Sequence, residues 1–459
     1  MKIYADTALL PEGWKSNVLV EIDKVGRIAS LSSDVEAAKA KATADHRVPI
    51  LLPAPANLHS HAFQRAMAGM SERRGAEALD TFWTWRQIMY RFLDILKPDD
   101  IETIAAFVQM EMLEAGYACN VEFHYVHHQP DGTPYAALAE LSHRIGAASL
   151  DSGIGLTLLP VLYQYGGCDK RPLGPGQIRF GNDFERFAKL HQGATAMLPN
   201  LPVDSAIGVA PHSLRAVGQD ALRDAVQLAG SGPLHMHLAE QVKEVEEVEA
   251  AWGARPTDWL LANHQVAENW CLIHCTQMTD AETDALAATG AIAGLCPITE
   301  SSLGDGIFNG VRYLSKGGRL GVGSDSNIRI SLSEELRTFE YSQRLRDRCR
   351  ASVATTERST GRVLFEAVTA GGAQAAGRKS GRIEEGAWAD LLVLDGKSLM
   401  LDGVKGDEIL DMFIFAADDR LVTDVWSAGR HLVKDGCHVA SDSIRSRYRE
   451  VMTRLRQEF

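Results

Sequence analysis

Two histidines one residue apart, His59 and His61 in LLPAPANLHSHAFQRAMAGM (51–70), are the first side chains in this sequence whose spacing could do chemistry. On a strand, positions i and i+2 leave the same face, so both imidazoles would converge on one point. Either they share a ligand, a metal being the natural one, or the spacing is an accident. Further along stand His237 and Glu240 in HMHLAE, His274 in CLIHC and Asp325 in GVGSDS. Three histidines and an aspartate with an open position suit a catalytic zinc or a similar divalent ion. Such an ion would lower the pKa of a bound water to about 7. One more His and a Glu would remain to move protons.

Those residues need elements to position them. Short apolar segments at 53–61, 120–126, 154–163, 205–213, 233–240, 269–275, 291–298 and 319–326 read as eight strands, with helical stretches such as DDIETIAAFVQMEMLEAG between them. Near-continuous apolar strands alternating with helices predict a parallel sheet covered on both faces. Eight such units predict an α/β fold, a (β/α)8 TIM-type barrel, whose active site lies at the C-terminal ends of the strands. The polar residues fall at those ends: His59 and His61 on strand one, His237 and Glu240 on strand five, His274 on strand six and Asp325 on strand eight. Singly each has a plain explanation, Asp325 as a helix cap for instance. Together they face one mouth. His235, beside His237, is read as pointing the opposite way, into the barrel wall.

The flanks have a different texture. KIYADTALL and NVLVEIDKVGRIASL near the start, and SGRIEEGAWADLLVLD and RLVTDVWSAGRHLVKDG after about residue 377, read as small β structure. They predict a β-sandwich side domain built from both termini: residues 1–52 and 378–459, the latter ending in a closing helix, around a barrel at 53–377.

The chain has 459 residues and a formal net charge of -13, which argues against nucleic acid or an anionic membrane as partner. A few arginines can still reverse the field inside a pocket. The N-terminus has no apolar core of signal-peptide length and no run is long enough to span a bilayer. Seven cysteines, an odd number, several in apolar runs, fit reduced thiols and a cytoplasmic setting.

His-x-His, HxxE, a later His and SDS together resemble the amidohydrolase superfamily across nearly the whole chain. No lysine stands at the end of strand four, where two-metal members carry a carboxylated lysine, so the resemblance is to the mononuclear, deaminating branch. It implies that His59, His61, His237 and Asp325 are metal ligands and that zinc is the metal. It also implies that Glu240 shuttles a proton, that His274 orients or deprotonates the water, and that Asp325 takes a proton from it. NLHSHAFQRAMAGM, FWTWRQIMYRF, HMHLAEQ, LCPITESSLGDGIF and GVGSDSNIRISLSEELR are similar to the formimidoylglutamate deiminase family. That resemblance implies hydrolysis of N-formimino-L-glutamate to N-formyl-L-glutamate and ammonia in histidine degradation, by a homodimer.

A substrate with two carboxylates calls for fork-shaped cationic donors. Arg86, after Trp83 and Trp85, and Arg215 are the candidates, and His212, which stands with Arg215 at the end of strand four, is a further substrate-binding candidate. Gln64 and Tyr125 could reach substrate or simply pack. Trp83 and Trp85 are read as core or lid packing, His127 and His128 as exposed loop residues, and Cys271 and Cys275 as wall residues on a face opposite His274. The run EQVKEVEEVEAAW is read as a solvated helix face beyond Glu240. LGDG (303–306) is either a plain turn or a close backbone approach to substrate. Two alternatives stay open: a deaminase for a nucleobase or guanidino compound, and a non-catalytic barrel, which such a complete ligand set disfavours.

Overall fold

The computed structural model describes residues 1–72 and 81–458. Eight parallel strands form the barrel: β1 (Ala56–Ser60), β2 (Cys119–His124), β3 (Gly155–Leu162), β4 in two pieces (Ala206–Ile207 and Ala210–Pro211), β5 (Leu234–Leu238), β6 (Trp270–His274), β7 (Ile292–Leu295) and β8 (Arg319–Val322). Each lies inside its predicted segment or within a residue of it. They pair in two runs, β1 to β4 and β5 to β8. Single bridges close the ring, Val209 to Leu234 and Ser213 to His237 at one seam and Ser60 to Asp325 at the other. Every residue of β2, β3, β5, β6 and β7 is buried. Such strands, covered on both faces, read as continuous apolar runs.

The β1–β8 seam joins two future site residues directly. The Asp325 amide donates to the His59 carbonyl at 2.9 Å, and the His61 amide to the Asp325 carbonyl at 2.9 Å. The helix Thr360–Ala375 packs across this seam. A side chain at Gly371 would collide with the Leu320 carbonyl oxygen, and one at Gly372 would crowd the Ala56 carbonyl. Two glycines therefore let this helix lie directly against β8 and β1.

The terminal segments form one sheet of eight strands, in the order 437–438, 430–434, 422–427, 391–394, 46–53, 2–10, 13–22, 28–32. It folds over a core of its own that includes Ile3, Val20, Ile28, Leu51, Leu391 and Trp426. Backbone bonds from Ile28 to Ala387 and from Ala389 to Gly26 tie its far edge back to the C-terminal segment. The other face, through Leu9, Ile50, Leu52 and Leu392, joins the main core. The closing helix, Ser441–Glu458, lies along Pro98–Glu114, with Tyr448 stacked on Phe107 at 3.8 Å between ring centres.

Candidate active site

A cavity of about 530 Å3 opens at the C-terminal ends of the strands. Ten of the eleven candidate residues line it: His61, Gln64, Arg86, Tyr125, His212, Arg215, His237, Glu240, His274 and Asp325. The eleventh, His59, is fully buried against them.

His59, His61, His237 and Asp325 each offer one ligand atom, all within 4.8 Å of one another. His59 Nε2 is 3.1 Å from His237 Nε2 and 3.5 Å from Asp325 Oδ1, and His61 Nε2 is 3.2 Å from the same oxygen. Four donors about 2.0–2.1 Å from one ion would stand roughly 3.3–3.4 Å apart along the edges of a tetrahedron. The tautomers agree. His61 Nδ1 donates to the Phe123 carbonyl at 2.9 Å and His237 Nδ1 to the His212 carbonyl at 3.1 Å. A carbonyl can only accept, so both Nε2 lone pairs are left bare and point at the common centre. Burial holds all three imidazoles neutral, with His59 pushed down to about 3. Burial alone would raise Asp325. The hydrogen bond with His59 and the nearby His274 overrule it and hold the carboxylate ionised. Neutral imidazoles and an ionised carboxylate are the protonation states a divalent cation requires, so these residues fit one.

His274 takes its position from a turn. Cys271 and Ile273 face an inner cluster with Leu58 and Ile292, while Leu272 belongs to the surrounding core. Continued alternation would send His274 the way of Leu272. Instead the backbone turns left-handed at His274 (φ 71°) and Cys275 (φ 54°), as it does at Ala239 (φ 49°) and Asp325 (φ 46°). Such non-glycine conformations cost on the order of 1–3 kcal/mol each and gather at functional sites. His274 Nδ1 is bonded to Glu300 Oε1 at 3.2 Å, and its Nε2 faces Glu240 Oε1 at 4.0 Å and Asp325 Oδ2 at 3.8 Å. Burial would discharge this imidazole, but the three carboxylates, Glu240 foremost, lift it to about 10. Burial raises Glu240 in turn, against the pull of His274 and Arg215.

The two arginines differ in their partners. Arg86, on the helix Phe82–Leu93, donates Nη2 to the Tyr163 hydroxyl at 2.7 Å. Arg215 is buried, its Nη2 3.5 Å from Glu240 Oε2 and its Nε 3.7 Å from Glu244 Oε1. Both guanidinium groups stand over Trp83, at 5.8 and 5.7 Å, and Trp85 lines the cavity. Gln64 Nε2 donates to the Tyr125 hydroxyl at 2.7 Å, and its own buried Oε1 has no partner among the described residues. His212 Nδ1 is bonded to Ser213 Oγ at 2.9 Å.

Several readings need correction. His127 and His128 are buried, not exposed. Their backbone amides donate to the Arg179 carbonyl, and their Nε2 atoms bond the Val161 and Gly181 carbonyls, each at 2.9 Å. Glu244 is fully buried within the supposedly solvated run, held by the Glu240 amide at 2.9 Å and by Arg215. His235 shares the parity of His237, as a period of two requires, and bonds the Ala375 carbonyl at 2.8 Å where the last barrel helix ends. Cys271 and Cys275 sit in different clusters because of the turn at His274. Sequence reasoning missed Tyr163, Glu300 and Asp305. Tyr163 closes an apolar run, and Glu300 follows the β7 segment by a few residues, so strand-end position could have flagged both. Asp305, in LGDG, accepts from Gln241 Nε2 through its carboxylate and from Gln277 Nε2 through its carbonyl.

The amidohydrolase family model matches residues 50–432, and the model for the N-terminal domain of formimidoylglutamate deiminase HutF matches residues 1–45. The chain is 46% identical over 456 residues to the formimidoylglutamate deiminase of Pseudomonas aeruginosa, covering 99% of each. Among solved structures, an amidohydrolase from Brucella melitensis is 46% identical, with a TM-score of 0.93 and 99% of each chain covered. An adenosine deaminase from Xanthomonas campestris with bound zinc shares the fold at 21% identity and a TM-score of 0.82, over 99% of this chain and 98% of that one.

Proposed function

The chain belongs to the amidohydrolase family and, within it, to the formimidoylglutamate deiminases, and we propose that this site hydrolyses N-formimino-L-glutamate to N-formyl-L-glutamate and ammonia, a step of histidine degradation. The observation that carries the reading is the pairing of two unlike ends in one cavity. At one end neutral imidazoles and an ionised carboxylate converge, and at the other Arg86 and Arg215 stand together over Trp83.

His59, His61, His237 and Asp325 would hold one divalent ion. When bound, it supplies Lewis acidity that brings the attacking water within reach of deprotonation at neutral pH. Zinc suits a donor set of three imidazoles and a carboxylate, and it is the ion bound in the Xanthomonas campestris deaminase. His274, charged and anchored by Glu300, turns Nε2–H toward the reacting region and orients the water. Glu240, raised by burial, holds a proton at Oε1 or Oε2 and delivers it to the imino nitrogen as water adds to the formimino carbon. Asp325 Oδ2 receives the proton the water loses and returns it as the C–N bond breaks. The hydroxyl left on the carbon gives its remaining proton to Glu240, which regains its acid form; the carbon keeps the water oxygen as the formyl C=O, and nitrogen leaves as ammonia. Gln64, Tyr125 and His212 border the substrate, and Arg86 and Arg215 take its carboxylates.

A homodimer and a cytoplasmic setting belong to the same reading. The second is supported by seven unpaired cysteines, five of them buried. Among the described residues no helix is long and apolar enough to cross a membrane. The test is ammonia release from a panel of formimino, guanidino and nucleobase substrates. Turnover of N-formimino-L-glutamate far above the others is the expected result. Release from guanine or cytosine, with none from N-formimino-L-glutamate, would overturn the reading.

A further inference from the structure

Tyr163 directly follows β3 and is buried at the wall of the cavity. Its hydroxyl oxygen accepts two hydrogen bonds, from Arg86 Nη2 at 2.7 Å and from Gln177 Nε2 at 2.9 Å. Neither donor has any choice. Arginine has no acceptor atom. The Gln177 amide is oriented by its Oε1, which accepts from the Gly174 amide at 3.0 Å, so its NH2 must face Tyr163. Two incoming N–H groups occupy the oxygen's lone pairs, which leaves the phenol's own hydrogen to be donated. Among the described residues nothing accepts it. Ring packing fixes the phenol in place, with the His212 ring at 4.5 Å and Phe180 at 5.5 Å.

We infer that Tyr163 is a substrate-binding residue whose hydroxyl donates a hydrogen bond to a substrate carboxylate lying between Arg86 and Arg215. The inference rests on the reading of this cavity as a formiminoglutamate site and deepens it. Arg86 and the Gln177 NH2 both point donors at this oxygen, Arg215 adds a second cation at this end, and the neighbouring Tyr90 hydroxyl and His212 ring take no bond from Tyr163. Beside two guanidinium groups, the acceptor best matched to this spare O–H is an anionic one. At the Tyr163 hydroxyl a formamidinium cation would meet the Arg86 charge and the Gln177 donor, so Tyr163 also helps to set which end of the substrate enters first. Donation by Arg86 into the phenol oxygen polarises the O–H and strengthens it as a donor.

Tyr163→Phe removes the hydroxyl and with it the acceptor shared by Arg86 and Gln177. A hydrogen bond to a charged group predicts a loss of about 10- to 100-fold in kcat/KM for N-formimino-L-glutamate, with metal content unchanged and the thermal midpoint lowered by the loss of an acceptor for Arg86 and Gln177. The loss should vanish for one of the two monoamides of the substrate, α or γ, because the partner charge is gone. Placing 3-fluorotyrosine at 163 separates donation from mere support of Arg86. The fluorinated phenol is the stronger acid and the weaker acceptor, so below its ionisation kcat/KM should rise if Tyr163 donates to substrate. A fall would overturn the inference and leave Tyr163 as a prop for Arg86. Undiminished turnover in Tyr163→Phe, or an equal loss on the diacid and both monoamides, would overturn it as well while the functional reading stands. A wild-type enzyme inactive on N-formimino-L-glutamate would overturn both.

Discussion

Replacing Arg86 and Arg215 by methionine, one at a time, should give two different proteins, although both arginines line the same cavity. Arg86 has no carboxylate partner among the described residues; its bond goes to the neutral Tyr163 hydroxyl. Methionine there strands no buried acid, and the expected stability change is about 1 kcal/mol or less. What is lost is an ion-paired hydrogen bond to substrate, about 2–5 kcal/mol. That corresponds to roughly a 30- to 5,000-fold drop in kcat/KM. Arg215 is different. Its side chain is 7% exposed and stands between Glu240 and Glu244, at 5% and 0%. Removing it leaves two buried carboxylates without their cation, and breaking a buried pair costs about 3–5 kcal/mol. Glu240 should also hold its proton to higher pH, since Arg215 is one of the charges that restrain it. The assay is steady-state ammonia release from N-formimino-L-glutamate, alongside thermal unfolding and metal content for each variant. Arg86→Met should unfold like wild type and lose only catalytic efficiency, while Arg215→Met should lose both. Equal unfolding of Arg215→Met and wild type would refute the assignment of that arginine to the Glu240–Glu244 pair. An Arg86→Met protein as unstable as Arg215→Met would refute the contrast.

Two further predictions follow from groups around the same turn. Glu240→Gln keeps the shape but cannot carry a proton, so turnover should fall by about two to four orders of magnitude with metal content unchanged by elemental analysis; near-normal turnover would assign the proton to another group. Asp305 is raised from 3.8 to about 9, by burial first and by the charge of Glu240 second. The folded chain therefore keeps a proton that the unfolded chain releases. The stability this contributes is full below the unfolded value and is lost as pH rises toward the folded one, by at most about 1.4 kcal/mol per pH unit. Asp305→Asn keeps the acceptor for Gln241 and cannot ionise. Wild type should accordingly lose stability relative to this variant as pH rises from neutral to alkaline in thermal unfolding, and parallel pH profiles would contradict it.

What was legible in the sequence follows from which physics is local. β2, β3 and β5 to β7 are buried on both faces, so each appears as an apolar run, and a run ending in His or Asp announces a barrel mouth. That is why His59, His61, His237 and Asp325 are legible as a group in the sequence alone. His127, His128 and Glu244 were misread because their burial depends on distant partners, the Arg179 backbone and the Arg215 guanidinium. Nothing near them in sequence marks those contacts. The left-handed turn at His274 was invisible for a related reason, since no glycine signals it. Tyr163 ends an apolar strand and nothing in the sequence singles it out; the bonds from Arg86 and Gln177 are what mark its spare hydrogen. The placement of His235 needed no structure at all, because a period of two already sets it beside His237.

The central claim is that four side chains, His59, His61, His237 and Asp325, hold one divalent ion on which deimination depends. The direct test is to strip the enzyme with a chelator and titrate zinc back while following ammonia release from N-formimino-L-glutamate. Activity should disappear with the metal and return in full at one ion per chain, and Asp325→Ala should neither bind the ion tightly nor recover. Undiminished turnover by metal-free protein, or full recovery by Asp325→Ala, would contradict the account.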